Sequence, residues 1–159
     1  MKIRICAVLI FVLVLADQLS KFWVLQEIDP VNPITVIPGL FNLVLVYNPG
    51  VAFGFMSSWS PSLRVVIISI ISIFAVFFLL NLYFKSYREH LYGSLAIVLI
   101  LAGAIGNIID RIRLSKVVDF LDFYVANWHW PAFNLADSFI CVGVGILLLL
   151  DWKVDRKAC

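Results

Sequence analysis

The chain has 159 residues, 63% hydrophobic and only 14% charged, a composition that excludes an ordinary water-soluble domain, in which about a quarter of residues are charged. A net charge of +2 with no basic run gives no basis for binding nucleic acid. Three cysteines without CxxC or zinc-type spacing predict neither a disulfide nor a metal site, and no cofactor motif is present.

A spanning helix needs about 20 mostly apolar residues, because its backbone must satisfy its own hydrogen bonds across the hydrocarbon. The first such span is residues 5–25. Ile5 to Ala16 is too short alone, so the helix must continue through Asp17, Gln18, Ser20 and Lys21. The basic start and apolar centre also resemble a secretory signal peptide. No small-x-small cleavage site follows, however, and Gln18 to Lys21 reads as more helix. Asp17 and Lys21 stand at i, i+4, on one face, where opposite charges pair. Lys21 is expected at the helix end, snorkelling to the headgroups. Asp17 reads equally as part of that helix end or as an orienting or substrate-contacting residue.

Residues 26–62 form a long connection without Lys or Arg. Within it "ITVIPGLFNLVLVYNPGVAFGFM" alternates apolar and polar residues between Pro and Gly, which predicts short β-strands. Phe41, Leu43, Leu45 and Tyr47 are expected on one face; Tyr47, Phe53, Phe55, Met56 and Trp59 suit a small sheet resting on the membrane surface. "NPG" at 48–50 is a turn, in which Asn48 either starts the turn or holds a substrate backbone with its amide.

The second span is residues 63–84 and the third 91–111. In the third, "LAGAIGNIIDR" sets small residues Ala102, Gly103, Ala104 and Gly106, which allow a neighbouring helix to approach closely, beside a polar stripe of Asn107, Asp110 and Arg111. Asp110 and Arg111 are read as part of a buried hydrogen-bond network holding helices together. Residues 113–134 form a second outer segment, in which "VVDFLDF" places Asp119 in apolar surroundings and Asp122 as an exposed interface residue, and "WHWP" suits an aromatic belt. The fourth span, 135–152, carries Asp137 in its first turns. A carboxylate costs about 2.5 to 3.5 kcal/mol at mid-membrane and less near the interface, so something must compensate it.

Four spans put both termini on one side. Lys2 and Arg4, Lys85 and Arg88, and Lys153, Arg156 and Lys157 mark that side as cytoplasmic, and Arg113 and Lys116 weaken the asymmetry without reversing it. Asp17, Lys21, Asn107, Asp110, Arg111 and Asp137 then gather at one outer level, as intramembrane ionisable groups do around a site. Neither Asp119 nor Asp137 has an obvious partner cation within its own motif, "VVDF" or "FNLADS". Facing each other, they would share a proton: the ionised member takes a proton from water while the protonated one polarises a peptide carbonyl. A pair of Ser138 and His129 is the weaker nucleophilic alternative. A proton- or ion-coupled transporter with a carboxylate relay is the competing class, but a relay must reach both faces and these residues stop at one level.

Five motifs in order, "DQLSK" (17–21), "YNPGVAF" (47–53), "GAIGNIIDR" (103–111), "VVDF" (117–120) and "FNLADS" (133–138), resemble lipoprotein signal peptidase, also called signal peptidase II, over nearly the whole chain. The resemblance implies an all-α membrane protein of four transmembrane helices with a small periplasmic β-sheet, forming one integral membrane domain over 1–159. It implies a monomeric aspartic endopeptidase of the bacterial inner membrane that uses no cofactor or metal, is sensitive to the cyclic peptide globomycin, and acts on diacylglyceryl-modified prolipoproteins beside membrane lipid. Asp119 and Asp137 match the family's catalytic pair. Asp17, Asn48, Gly50, Gly103, Asn107, Asp110, Arg111, Asn134 and Ala136 match positions the family uses around its site, and Asn134, one turn before Asp137, is placed to orient it.

Overall fold

The computed structural model describes residues 1–50 and 59–158. Among the described residues four helices are long and apolar enough to cross a membrane: α1 (Ile3–Glu27), α2 (Pro61–Leu82), α3 (Leu91–Leu114) and α4 (Leu135–Ala158). α1 runs without a break through Asp17–Lys21, so the polar residues there belong to the helix itself. Ser60 caps α2, its hydroxyl accepting the Leu63 N–H at 3.3 Å, with Pro61 in the first turn, where its missing N–H is no loss. α2 continues into a π-helical turn, Tyr83–Tyr87, before the short link to α3.

α3 is the central helix, packed by α1, α2 and α4 and buried along most of its length. The other three turn large apolar side chains outward, among them Phe11, Phe74, Phe77 and Leu148. In water that surface would be an aggregation hazard; in hydrocarbon it is the expected face.

The N-terminal amine donates to Arg88 O at 2.9 Å, and Tyr87 Oη donates to Asp151 of α4 at 3.1 Å. One end of the bundle therefore gathers the start of α1, the α2–α3 link and the far end of α4. The sheet lies at the opposite end. It is antiparallel, in the order β1 (Ile34–Ile37), β2 (Phe41–Asn48), β3 (Val117–Val125), β4 (Trp128–His129). β1 and β2 fall in the stretch predicted as strands, whereas β3 and β4 fall in a segment to which no strand was assigned. Phe53, Phe55 and Met56, expected beside the sheet, lie outside the described residues.

The single apolar face expected for Phe41, Leu43, Leu45 and Tyr47 is interrupted. Leu43 pairs with Leu121 but Val46 pairs with Asp119, so β2 carries an extra residue between them, a bulge that resets the alternation. Asn42 and Leu45 are the buried residues of β2, and Tyr47 is exposed under the ammonium of Lys116, 3.4 Å from the ring centre.

Two apolar clusters fill the interior. Cys6, Leu79, Tyr83, Ile97, Val98, Ile100 and Leu101 pack at the end away from the sheet. Val24, Ile28, Leu45, Val118 and Phe120 pack beneath it. Between them lies a polar layer.

Candidate active site

The layer is built where α1, α3 and α4 come closest, and small residues permit the approach. A Cβ on Gly103 would strike the Ala136 carbonyl oxygen and sit 2.7 Å from Ile140. One on Gly106 would sit 2.5 Å from an Asp17 oxygen and 3.3 Å from the Ala136 Cβ. Gly50 matters for its backbone, at φ +85°, where Asn48 Oδ1 accepts its N–H at 2.9 Å and closes the turn.

Asp17 is fully buried. Its Oδ1 accepts the Ala136 N–H at 3.0 Å, an orphan donor in the first turn of α4, where a negative charge also suits the helix dipole. Its Oδ2 meets Lys21 Nζ at 2.9 Å. The same ammonium lies 2.9 Å from Asp110 Oδ2 and donates to Asn107 Oδ1 at 3.1 Å. Lys21 is 2% exposed. The snorkelling expected of it is therefore wrong: two buried carboxylates hold the ammonium inside, and an ammonium left there without them would be far costlier than one at the interface. Asp110 also accepts the Val118 N–H at 3.2 Å and so fixes the start of β3, consistent with the network role read for it.

The other two carboxylates of the cluster are held differently. Phe133 bridges Leu121 in antiparallel register, which lays the residues before α4 along β3 and brings Asn134 beside Asp119. Asn134 Nδ2 donates to Asp119 Oδ1 at 2.7 Å, and Asn48 Nδ2 donates to Asp119 Oδ2 at 2.9 Å. Asn134 is also the N-cap of α4: its Oδ1 accepts the Asp137 N–H at 2.9 Å, and Asp137 Oδ2 accepts the Asn134 N–H at 3.3 Å, a reciprocal capping pair. Asn107 Nδ2 donates to Asp137 Oδ1 at 2.8 Å. One asparagine side chain thus stands between the two aspartates, contacting both.

Asp119 is 2% exposed, and burial pushes its carboxyl up to about 6, with a further push from the charge of Asp137, against the amides of Asn48 and Asn134, which favour the ionised form. Lys21 salt-bridges Asp17 and Asp110 only; among the described residues no Lys or Arg forms an ion pair with Asp119 or Asp137. Arg111 is half-buried, within electrostatic reach of Asp137, Asp110 and Asp119.

Asn48 combines its two readings, turn former by its oxygen and carboxylate holder by its nitrogen. Asp122 is not the exposed residue expected. It is 5% exposed, because the sheet covers it, and it is bound by Asn42 Nδ2 at 3.1 Å and His129 Nδ1 at 2.9 Å. That pairing also occupies His129, while Ser138 Oγ donates to Asn134 O at 2.9 Å, so Ser138 and His129 form no catalytic couple. Gln18 was missed as a site residue. Its amide donates to Asp17 Oδ2 at 3.1 Å, Gly106 O at 3.2 Å and Asp110 Oδ1 at 3.0 Å, tying α1 to α3. An uncharged amide deep in an apolar helix, beside Asp17, was the available signal.

The chain matches the family model described as signal peptidase (SPase) II over residues 9–153. It is 42% identical over 152 residues to the lipoprotein signal peptidase of Syntrophotalea carbinolica, covering 96% of this chain and 93% of that one. It is also 42% identical over 153 residues to the lipoprotein signal peptidase of Neisseria meningitidis serogroup C, covering 94% and 90%. Among solved structures, a bacterial membrane enzyme determined by the in meso method at 2.3 Å resolution is similar with a TM-score of 0.84 and 30% identity, over 95% of this chain and 89% of its own.

Proposed function

The chain belongs to the signal peptidase II family of multi-pass membrane proteases that process lipoproteins, and from that membership we propose that it is an aspartic endopeptidase in which Asp119 and Asp137 cut diacylglyceryl-modified prolipoproteins immediately before the lipidated cysteine. The observation that carries the assignment is the division of labour among four neighbouring carboxylates. Asp17 and Asp110 share an ion pair with Lys21, whereas Asp119 and Asp137 are hydrogen-bonded by amides, with Arg111 within electrostatic reach but in no ion pair with them among the described residues. Amide donors orient a carboxylate without supplying a fixed positive charge, which leaves it free to exchange a proton.

In this reading the pair works with one proton between its two carboxyls, and the ionised member takes a proton from the attacking water. The proton held by the pair polarises the peptide carbonyl. The tetrahedral intermediate collapses as the dyad protonates the amine of the cysteine, giving the signal peptide's new carboxylate and the lipidated N-terminus. Asn134, Asn48 and Asn107 keep the two carboxyls in position throughout; Asp17, Lys21, Asp110 and Gln18 fix the helices that carry them. The protein acts as a monomer in the inner membrane, with both termini cytoplasmic and the sheet and site at the periplasmic face. A transporter is disfavoured by the apolar cluster of Cys6, Leu79, Tyr83, Ile97 and Leu101, which fills the half of the bundle a relay would have to cross.

The test is incubation of the purified protein with a prolipoprotein carrying diacylglycerol and with its unmodified form. Wild type is expected to cut only the former, and Asp119→Asn and Asp137→Asn to cut neither. Cleavage retained by both variants rejects the dyad.

A further inference from the structure

At the end of the bundle opposite the sheet, α1 and α2 both pack on α3 but, among the described residues, not backbone to backbone on each other. Tyr83 reaches across the seam between them: its hydroxyl donates to Met1 O at 3.3 Å and lies 3.4 Å from Cys6 Sγ. Beside that bridge is a cavity of about 120 Å³, lined by Ile3, Ala7 and Ile10 of α1 and by Leu80 and Phe84, with α3 closing its back. The polar side chains in its wall are Cys6 and Tyr83, which face each other; the rest is hydrocarbon. Ile3, Ala7 and Phe84 are exposed on the outside of the bundle, so the cavity opens to the lipid.

The mouth lies under a cluster of cations. Residues 1–16 and 80–90 carry Lys2, Arg4, Lys85 and Arg88 against one acid, Glu89. All four cations are exposed; Lys2 and Arg4 flank Ile3, and Lys85 follows Phe84. The N-terminal amine, 2.9 Å from Arg88 O, brings the two groups of cations to one place. Glu89 lies 3.7 Å from Arg88 in a loose, solvated pair, which leaves the cluster net positive.

We propose that this seam binds one anionic phospholipid of the surrounding bilayer, with its headgroup phosphate among Arg4, Lys85 and Arg88 and one acyl chain entering the cavity between α1 and α2. The inference stands apart from the catalytic pair. An apolar cavity of roughly 150 Å³ takes up benzene and stays free of water, so this one suits a short run of methylenes. A helix, about 10 Å across, does not fit it. Charge separates the occupants as well. A signal peptide begins with a basic segment, which these cations would repel, and a second copy of this chain would bring the same cations to the contact. An anionic headgroup is attracted. Because the bilayer is as apolar as the cavity, the chain gains little by leaving it; the headgroup supplies the preference and the cavity fixes where the lipid sits. A lipid lodged there closes the seam that the two helices leave open and stabilises the folded bundle by its binding.

The test is native mass spectrometry of the full-length protein in detergent, titrated with phosphatidylglycerol or with phosphatidylcholine of the same acyl chains. One phosphatidylglycerol is expected to bind at least tenfold more tightly than phosphatidylcholine. Ala7→Trp fills the cavity from the lipid side, and Lys85→Gln with Arg88→Gln removes two of the headgroup cations; each change is expected to weaken phosphatidylglycerol binding at least tenfold. Equal binding of the two lipids overturns the site. So does an unchanged preference in Ala7→Trp, which leaves only a general attraction of the cations for an anionic surface, and so does a protein dimer in place of the lipid adduct. Should Ala7→Trp not fold, a phosphatidylglycerol with a photoreactive group partway along its acyl chain decides the matter on wild-type protein. Labelling within residues 3–10 and 80–84 is expected, and labelling confined to other segments overturns the proposal.

Discussion

Asn134 Nδ2 lies 2.7 Å from Asp119 Oδ1, although one residue caps a helix and the other sits in a strand. The same side chain accepts the Asp137 N–H, so a single amide group sets the relative position of both carboxyls. No backbone hydrogen bond alone does this.

Asn134→Ala removes the α4 cap and one of the two amides on Asp119 together. Loss of the cap costs about 1 to 2 kcal/mol. Loss of orientation is expected to lower kcat/KM on a lipidated substrate by about a hundredfold or more, since a misplacement of about 1 Å has that effect. The amide favours the ionised carboxylate, so without it the alkaline limb of the pH–rate profile moves to higher pH. A profile that falls in amplitude without moving would show that Asn134 supports the helix only.

The wild-type profile has its own expectation. With Asp119 titrating at about 6 and one shared proton required on the pair, kcat/KM falls as pH rises above about 6 and does so with unit slope. A profile flat from about pH 5 to about pH 8 contradicts the assignment.

Stability links to the same group. Burial raises the folded-state value from 3.8 to about 6, so the folded protein binds this proton more tightly than the unfolded chain. The contribution is present in full below about pH 4 and is lost as pH rises through about 6. Asp119→Asn, which cannot ionise, should therefore gain stability relative to wild type as pH is raised from about 4 to about 7. Thermal unfolding in detergent across that range measures it, and a difference that moves the other way refutes the burial argument.

Lys21→Met leaves Asp17 and Asp110 buried without their shared cation. Breaking a buried ion pair from one side costs about 3 to 5 kcal/mol. A large loss of thermal stability is expected, and reduced cleavage with it, because Asp17 holds the first turn of α4 and Asp110 the start of β3. Asp17→Asn in the same chain removes one of the two unpaired charges and should recover part of the stability.

Two glycines separate close packing from helix propensity. Gly103→Ala drives a methyl into the Ala136 carbonyl and Ile140, prying α3 from α4 beneath Asp137, so both stability and activity should fall. Gly145, on α4, has nothing within 4 Å of its missing Cβ. Gly145→Ala should leave cleavage unaltered and stabilise by up to about 1 kcal/mol. Equal effects of the two substitutions would mean that the α3–α4 contact does not position the site.

Much of this protein was determined by its sequence. Hydropathy over about 20 residues marks a helix that must bond internally in lipid, so α1 to α4 were legible, and alternation between Pro and Gly marked β1 and β2. The spacing of Asp17 and Lys21 forced them onto one face whatever surrounded them. The motif order suggests the pairing of Asp119 with Asp137 that is proposed above and that spacing alone left open. Only the tertiary structure decided what each polar group meets. Hydropathy and period report how a residue sits in its own helix or strand, and they carry no term for a partner brought in from far along the chain. Lys21 reads as a snorkelling end until Asp110 of α3 closes over it, and Asp122 reads as exposed until Asn42 and His129 cover it. The bulge between Leu43 and Val46 likewise exists only in the pairing of β2 with β3. Above all, the carboxylates that hold the bundle are distinguished from those proposed to exchange a proton by the placement of one ammonium, which meets Asp17 within its own helix but reaches Asp110 only because the helices pack.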